Sequence, residues 1–143
     1  MPPLTFVDTN ILAYAYDLDE AKKRPIALEA LDILWRTKAG VVSTQVLQEF
    51  YNTATRRFRQ PLSHAAARRV LRGYSGWPVV SPDAALILAA SELHERHSVS
   101  FWDALIVEAA RRAGASRLLT EDLQHGRTFG ALTVENPFAD ASG

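Results

Sequence analysis

The sequence predicts an α/β protein of three layers, α/β/α, with a central parallel sheet of four or five strands. Three observations carry that expectation. Short apolar runs recur along the 143 residues, at 4–7, 40–43, 77–80, 116–120 and 130–134. Longer stretches with apolar residues at helical spacing separate them, and alternating strands and helices build a parallel sheet covered on both faces. No internal repeat or linker interrupts the pattern, so residues 1–138 are expected to form one domain, with 139–143 as a frayed tail. The alternative is an all-helical protein in which the short runs are buried connectors.

Taking the elements in order, Leu4 to Val7 is a strand that leads directly into Asp8-Thr9-Asn10, and Ile11 to Ala15 reads as a short helix. After the polar stretch Asp17 to Lys23, the residues Ile26, Leu28, Leu31, Ile33, Leu34 and Trp35 predict a helix that ends near Lys38-Ala39-Gly40, with Gly40 at the expected exit. Gly40 to Ser43 is a second buried strand. Ser43 or Thr44 caps the next helix, which carries Val46, Leu47, Phe50, Tyr51 and Ala54 and stops at Arg56 to Pro61. Ser63 caps a fourth helix through Ala65 to Leu71, ended by Gly73 to Gly76. Trp77 to Val80 is a strand placed at the sheet edge, because Pro78 lacks a backbone donor. Pro82 opens a helix through Leu93 that fades between His94 and Val99, and Ser100 to Asp103 opens another that exits at Ala113-Gly114. Ser116 to Thr120 is the fourth strand and delivers Glu121 and Asp122. Gly130 to Val134 is a fifth, and beyond Asn136 only Phe138 offers an anchor.

The composition is that of an ordinary globular protein, 48% hydrophobic and 22% charged. The absence of cysteine excludes a disulfide framework and a thiolate zinc site. Residues 1–5 carry no basic region before an apolar stretch, and no segment approaches the roughly 20 apolar residues that span a bilayer, so a cytoplasmic protein without a membrane partner is expected. Sixteen Lys plus Arg balance sixteen Asp plus Glu, which argues against general attraction to nucleic acid but not against a local basic patch.

Ligands of parallel α/β sheets bind outside the carboxyl ends of the strands, where the following helices also begin. Asp8 follows the first strand, Glu49 lies in the second turn of the helix after the second, Asp103 opens the helix before the fourth, and Asp122 follows the fourth. All four are therefore expected at one edge. Converging carboxylates raise one another's pKa unless a cation offsets the repulsion. Mg²⁺ or Mn²⁺, which prefer oxygen ligands, can activate water and neutralise phosphoryl oxygens, so the arrangement points to phosphodiester hydrolysis. Each acid also has a simpler reading: Asp8 and Asp122 as turn or cap residues, Glu49 as a solvated helix residue, and Asp103 as part of a capping box with Ser100.

Four segments resemble the PIN-domain ribonucleases, and within them the VapC toxins of type II toxin–antitoxin modules. They are Phe6-Val7-Asp8-Thr9-Asn10, Ser43 to Phe50, Phe101 to Ile106, and Leu118 to Leu123. The resemblance covers nearly the whole chain in family order. It implies a PIN-like fold, Mg²⁺ or Mn²⁺ dependence and endoribonuclease activity on structured RNA. Asp8, Glu49 and Asp103 take the family's strongest metal-ligand positions, and Asp122 the one after the fourth strand. Thr9 and Thr120 fall where family hydroxyls support the acidic centre, and Asn10 belongs to the first motif. A homodimer and a small antitoxin whose tail covers the site are further implications. One departure stands out: many relatives carry an acid three residues after Asp122, where this chain has His125. That histidine is either a phosphate contact or a surface residue, and Glu121 is a reserve ligand set awkwardly beside Asp122.

Arg56, Arg57 and Arg59, with Arg68, Arg69 and Arg72, form the densest basic region and suit bidentate phosphate contacts, or else a solvated face. Phe58 and Tyr74 are candidates for stacking on bases, or for packing. A PIN-like RNA-binding or scaffold protein that does not cleave is the alternative function, which has no need of four acids at one edge. Receiver and dehalogenase-like readings lack their further acids and lysine, and no glycine-rich GK[ST] motif supports a P-loop enzyme.

Overall fold

The structure, a computed structural model, describes residues 3–139. Six strands form one sheet in the order β3-β2-β1-β4-β6-β5: β1 (Thr5–Val7), β2 (Gly40–Ser43), β3 (Val79–Val80), β4 (Arg117–Leu119), β5 (Thr128–Phe129) and β6 (Leu132–Glu135). Six helices flank it: α1 (Thr9–Tyr16), α2 (Lys23–Thr37), α3 (Thr44–Arg56), α4 (His64–Tyr74), α5 (Ala84–His97) and α6 (Phe101–Arg112). The α/β expectation holds. The first five strands in the order pair in parallel. The sixth, β5, was not foreseen. It runs antiparallel to β6 through a tight turn at Gly130, whose φ of 62° is the left-handed conformation that favours glycine.

The chain leaves β1 toward β2 and β3 on one side, then returns to β4 and β6 on the other. The order reverses between β1 and β4, which is where ligand crevices form in open α/β sheets. Helices α1 to α4 pack among themselves, and α5 packs on α6. Right-handed crossovers place these two groups on opposite faces of the sheet. Phe6, Val7, Val41, Val42 and Leu118 are fully buried in a single core cluster. Each such side chain contributes about 1.5–3 kcal/mol over exposure.

Sequence patterning left the buried face of α2 open and misassigned its terminator. Its buried stripe is Ala27, Leu31 and Leu34, while Leu28, Ile33 and Trp35 remain partly in water. The left-handed residue ending the helix is Lys38, not glycine. Gly40 serves a different need: a Cβ there would lie 2.4 Å from the Trp77 ring, which packs directly against the start of β2. β3 is indeed an edge strand, with Pro78 just outside it donating nothing while its carbonyl accepts from Val42 N at 3.1 Å.

The segment from Asn136 is held more firmly than the sequence suggested. Phe138 is buried edge-on against Tyr14, and Asn136 Oδ1 accepts from Phe138 N at 2.9 Å. Of the expected tail, 139–143, only Ala139 is described, in a turn closed onto Asn136 O; the rest lies outside the described residues. Among the described residues no helix is long and apolar enough to cross a membrane.

Candidate active site

The register of the central strands assembles the site. Val7 pairs with Leu119, so the next residues, Asp8 and Thr120, emerge side by side at the carboxyl edge. Asp8 N donates to Leu119 O at 3.0 Å, and Thr120 Oγ1 donates to Asp8 Oδ2 at 2.8 Å. Asp8 also caps α1, its Oδ1 accepting from Thr9 N at 2.7 Å. The cap role and the site role are thus held by one carboxylate. Asp103 sits in the first turn of α6, its backbone N–H donating to the Ser100 hydroxyl at 3.0 Å. Asp122 is anchored twice: its N–H donates to Thr120 Oγ1 at 3.1 Å, and its Oδ2 accepts from Asn10 Nδ2 at 3.0 Å.

Carboxylate oxygens of Asp8, Asp103 and Asp122 lie within 4.8 Å of one another. Glu49 stands outside this trio but lines the same cleft of about 370 Å³. Its Oε2 accepts from Thr9 Oγ1 at 2.9 Å and its Oε1 from Gln45 Nε2 at 3.0 Å. Glu49 is exposed, as its distance from the apolar stripe of α3 requires, and it is also a wall of the cleft.

Burial pushes the Asp8 carboxyl up to about 7, against the pull of its Thr120 and Thr9 hydrogen bonds, and the charges of Asp122 and Glu49 add to the rise. Asp103 is raised by burial first and by Glu49 as well, against its bond to Ser100. Asp122 is more open to solvent, yet partial desolvation raises it, helped by the charges of Asp103 and Glu121. Among the described residues no lysine or arginine forms an ion pair with any of these acids. The Asn10 Oδ1 is buried beside them without a partner. Turning the amide over would set that oxygen against the Asp122 carboxylate. An all-oxygen donor set with unbalanced negative charge fits a hard divalent cation.

The sequence matches the PIN domain over residues 5–129. This chain belongs to the PIN domain family. Solved structures of toxins and toxin–antitoxin complexes share its fold. VapC20 of Mycobacterium tuberculosis, described as a sarcin–ricin loop cleaving toxin, is 27% identical with a TM-score of 0.62, over 80% of this chain and 86% of that one. A toxin–antitoxin complex from Klebsiella pneumoniae is 18% identical with a TM-score of 0.67, covering 93% and 97%. VapBC2 of Rickettsia felis, bound to a DNA fragment from its promoter, is 20% identical with a TM-score of 0.63, covering 93% and 98%. No curated protein matches the sequence.

Other expected site residues are distributed less simply within this PIN domain. Thr9, Asn10 and Thr120 all bond to the acids, with Asn10 Nδ2 also 3.4 Å from Thr120 Oγ1. Glu121 turns away: it pairs with Lys23 Nζ at 2.8 Å and accepts from the Tyr14 hydroxyl. His125 Nδ1 accepts from Asn136 N at 3.0 Å, which ties the C-terminal turn to the loop after β4. Of the six arginines, only Arg57 lines the cleft; Arg56, Arg59, Arg68, Arg69 and Arg72 are exposed elsewhere on α3, the following turn and α4. Phe58 and Tyr74 are buried, Tyr74 against Trp35 and Trp77, so neither is a base platform. Sequence reasoning gave no role to Gln45 or Trp102, which line the cleft. The spacing of Gln45 four residues before Glu49 was the available signal for the first.

Proposed function

We propose that this PIN domain protein is an Mg²⁺- or Mn²⁺-dependent endoribonuclease acting on structured RNA, and the toxin of a toxin–antitoxin pair. The observation that carries the reading is the trio Asp8, Asp103 and Asp122, with oxygens within 4.8 Å and no ion-pair partner among the described residues. These three would hold the ion, with Glu49 facing it from the α3 wall. When bound, the ion supplies an activated water and neutralises charge at phosphorus. The chain's own groups keep the acids in place. Thr120 orients Asp8 and the Asp122 backbone, Asn10 orients Asp122, and Thr9 with Gln45 orients Glu49. Arg57, which forms no ion pair among the described residues, is placed to hold a backbone phosphate.

The VapC20 likeness supports a folded RNA loop as substrate, and the neighbours solved as toxin–antitoxin complexes support an antitoxin partner, whose tail the family resemblance implies would cover the cleft. A homodimer is consistent with the exposed apolar residues Ile33, Trp35, Ile87 and Leu88. Light scattering across the micromolar range tests the dimer, which a concentration-independent monomer mass would sink. The activity is tested with protein free of antitoxin. RNA should be cut with Mn²⁺ or Mg²⁺, spared with chelator, and spared by Asp8→Asn, whereas unchanged cleavage by that variant overturns the assignment.

A further inference from the structure

The cleft follows one face of α3. Gln45, Glu49, Thr53 and Arg57 recur every four residues and all line it. They form a row of about 18 Å at roughly 1.5 Å per helical residue. Gln45 Nε2 reaches both Glu49 and, at 3.4 Å, the carbonyl of Trp102. That contact puts the Trp102 backbone at the amino end of the row and Arg57 at the other, with Glu49 between. Trp102 is 65% exposed, although it directly precedes one of the clustered carboxylates. Phe101 braces its ring edge-on, with centroids 5.5 Å apart. The other aromatic residues of the cleft, Tyr14 and Phe58, are engaged with Glu121 and with the core respectively.

A large indole left in water at the rim of an acid-lined cleft offers a flat face that the described residues leave largely uncovered. Among nucleic-acid groups, the complement to such a face is a base, and only an unpaired base has a face to give, because duplex bases are covered by their neighbours. We propose that Trp102 is a stacking platform for an unpaired base adjacent to the phosphodiester held at Asp8, Asp103 and Asp122, an inference that rests on the nuclease reading above. The cleft thereby selects looped or single-stranded RNA, with the base on Trp102 and a backbone phosphate toward Arg57. Stacking is sequence-tolerant, so Trp102 sets the pairing state rather than the base identity.

The test uses the full chain carrying Asp8→Asn, which should slow cleavage below the time of the measurement, alone or with Trp102→Leu or Trp102→Phe. The probe is a fluorescein-labelled single-stranded RNA of mixed sequence, and the same strand annealed to its complement, followed by anisotropy in Mn²⁺. Trp102→Leu should weaken single-strand binding about fivefold to 150-fold, the range for loss of one stacked base at about 1–3 kcal/mol. Trp102→Phe, which keeps a flat ring, should retain most of it, and duplex binding should respond to neither. On the active background the same substitutions should act on KM more than on kcat. Equal binding by all three chains overturns the proposal, as does equal loss in Leu and Phe variants. Loss of dimer or antitoxin binding with RNA binding intact also overturns it, by making Trp102 a protein contact. If the chain with native Asp8 cuts no RNA, the nuclease reading fails instead, and the anisotropy series still judges the platform.

Discussion

Glu121 is paired with Lys23 at 2.8 Å and accepts from Tyr14, and the Lys23 ammonium lies 4.7 Å from the Tyr14 ring centroid and 5.5 Å from that of Phe138. Asp122, the next residue, accepts from a neutral amide, Asn10, and faces Asp103. The two acids share a loop, yet among the described residues one has an ion-pair partner and the other has none. Lys23 is raised, chiefly by its hydrogen bond to Glu121, so that pair favours its charged form. Asp8, Asp103 and Asp122 are all raised, so their charged forms are disfavoured as the chain stands. A carboxylate that serves folding is given a cation. Three left without one among the described residues cost folding free energy, which a divalent ion, if bound, would offset.

The largest expected effect separates the two groups outright. Asp8→Asn or Asp103→Asn should lower single-turnover cleavage by about 10²–10³-fold, since metal stabilisation of transition-state charge is worth several kcal/mol. Circular dichroism should show the fold intact. If Glu121→Gln lowers cleavage as much, the contrast between the two acids fails.

Support of the acids comes next. Thr120→Val removes the hydroxyl that donates to Asp8 and accepts from Asp122 N. Metal affinity should fall about 10–100-fold, the usual scale for groups that orient ligands. Calorimetric titration with Mn²⁺ checks it, and an unchanged affinity would assign Thr120 to the fold alone.

The pH dependence has a definite sign. Asp8 titrates near 7 in the folded chain against an ordinary value of 3.8. Its contribution to metal-free stability is fully present below the lower value and is lost as pH rises through the higher one, because only the folded state retains the proton between them. Metal needs the ionised form, so Mn²⁺ affinity should fall about tenfold per pH unit below 7 and level off above it. Thermal shifts induced by Mn²⁺ should therefore be larger at pH 8 than at pH 6. A pH-independent shift would mean that Asp8 is already ionised.

The smaller effects refine the picture at its margins. Arg57→Ala should reduce the slope of log affinity against log salt by about 0.7, the loss of one phosphate contact to a single strand, whereas Arg56→Ala should change it less. Equal slopes for both would spread phosphate binding beyond the cleft. Last, Lys23→Met should cost on the order of 1 kcal/mol or less in chemical denaturation, because the pair is partly in water, and should leave metal affinity nearly unchanged.

The alternation of strand and helix was legible because it is written in contiguous residues. Apolar runs, Ser43, Ser63 and Ser100 as caps, and Pro78 at an edge each act within a few positions. The edge at which Asp8, Glu49, Asp103 and Asp122 gather followed from the same alternation, since crossover helices must begin where strands end. The antiparallel β5 escaped because a two-residue strand has too little pattern to read. The exposed side of α2 escaped because Leu28, Ile33 and Trp35 are as apolar as the residues that face the core. Which acids form the trio and which acid is neutralised were settled by long-range partners: Lys23 with Glu121, Asn10 with Asp122, Thr120 with Asp8. Local patterning specifies elements and their caps, but a carboxylate looks the same in sequence whether folding brings a lysine to it or leaves its charge unbalanced.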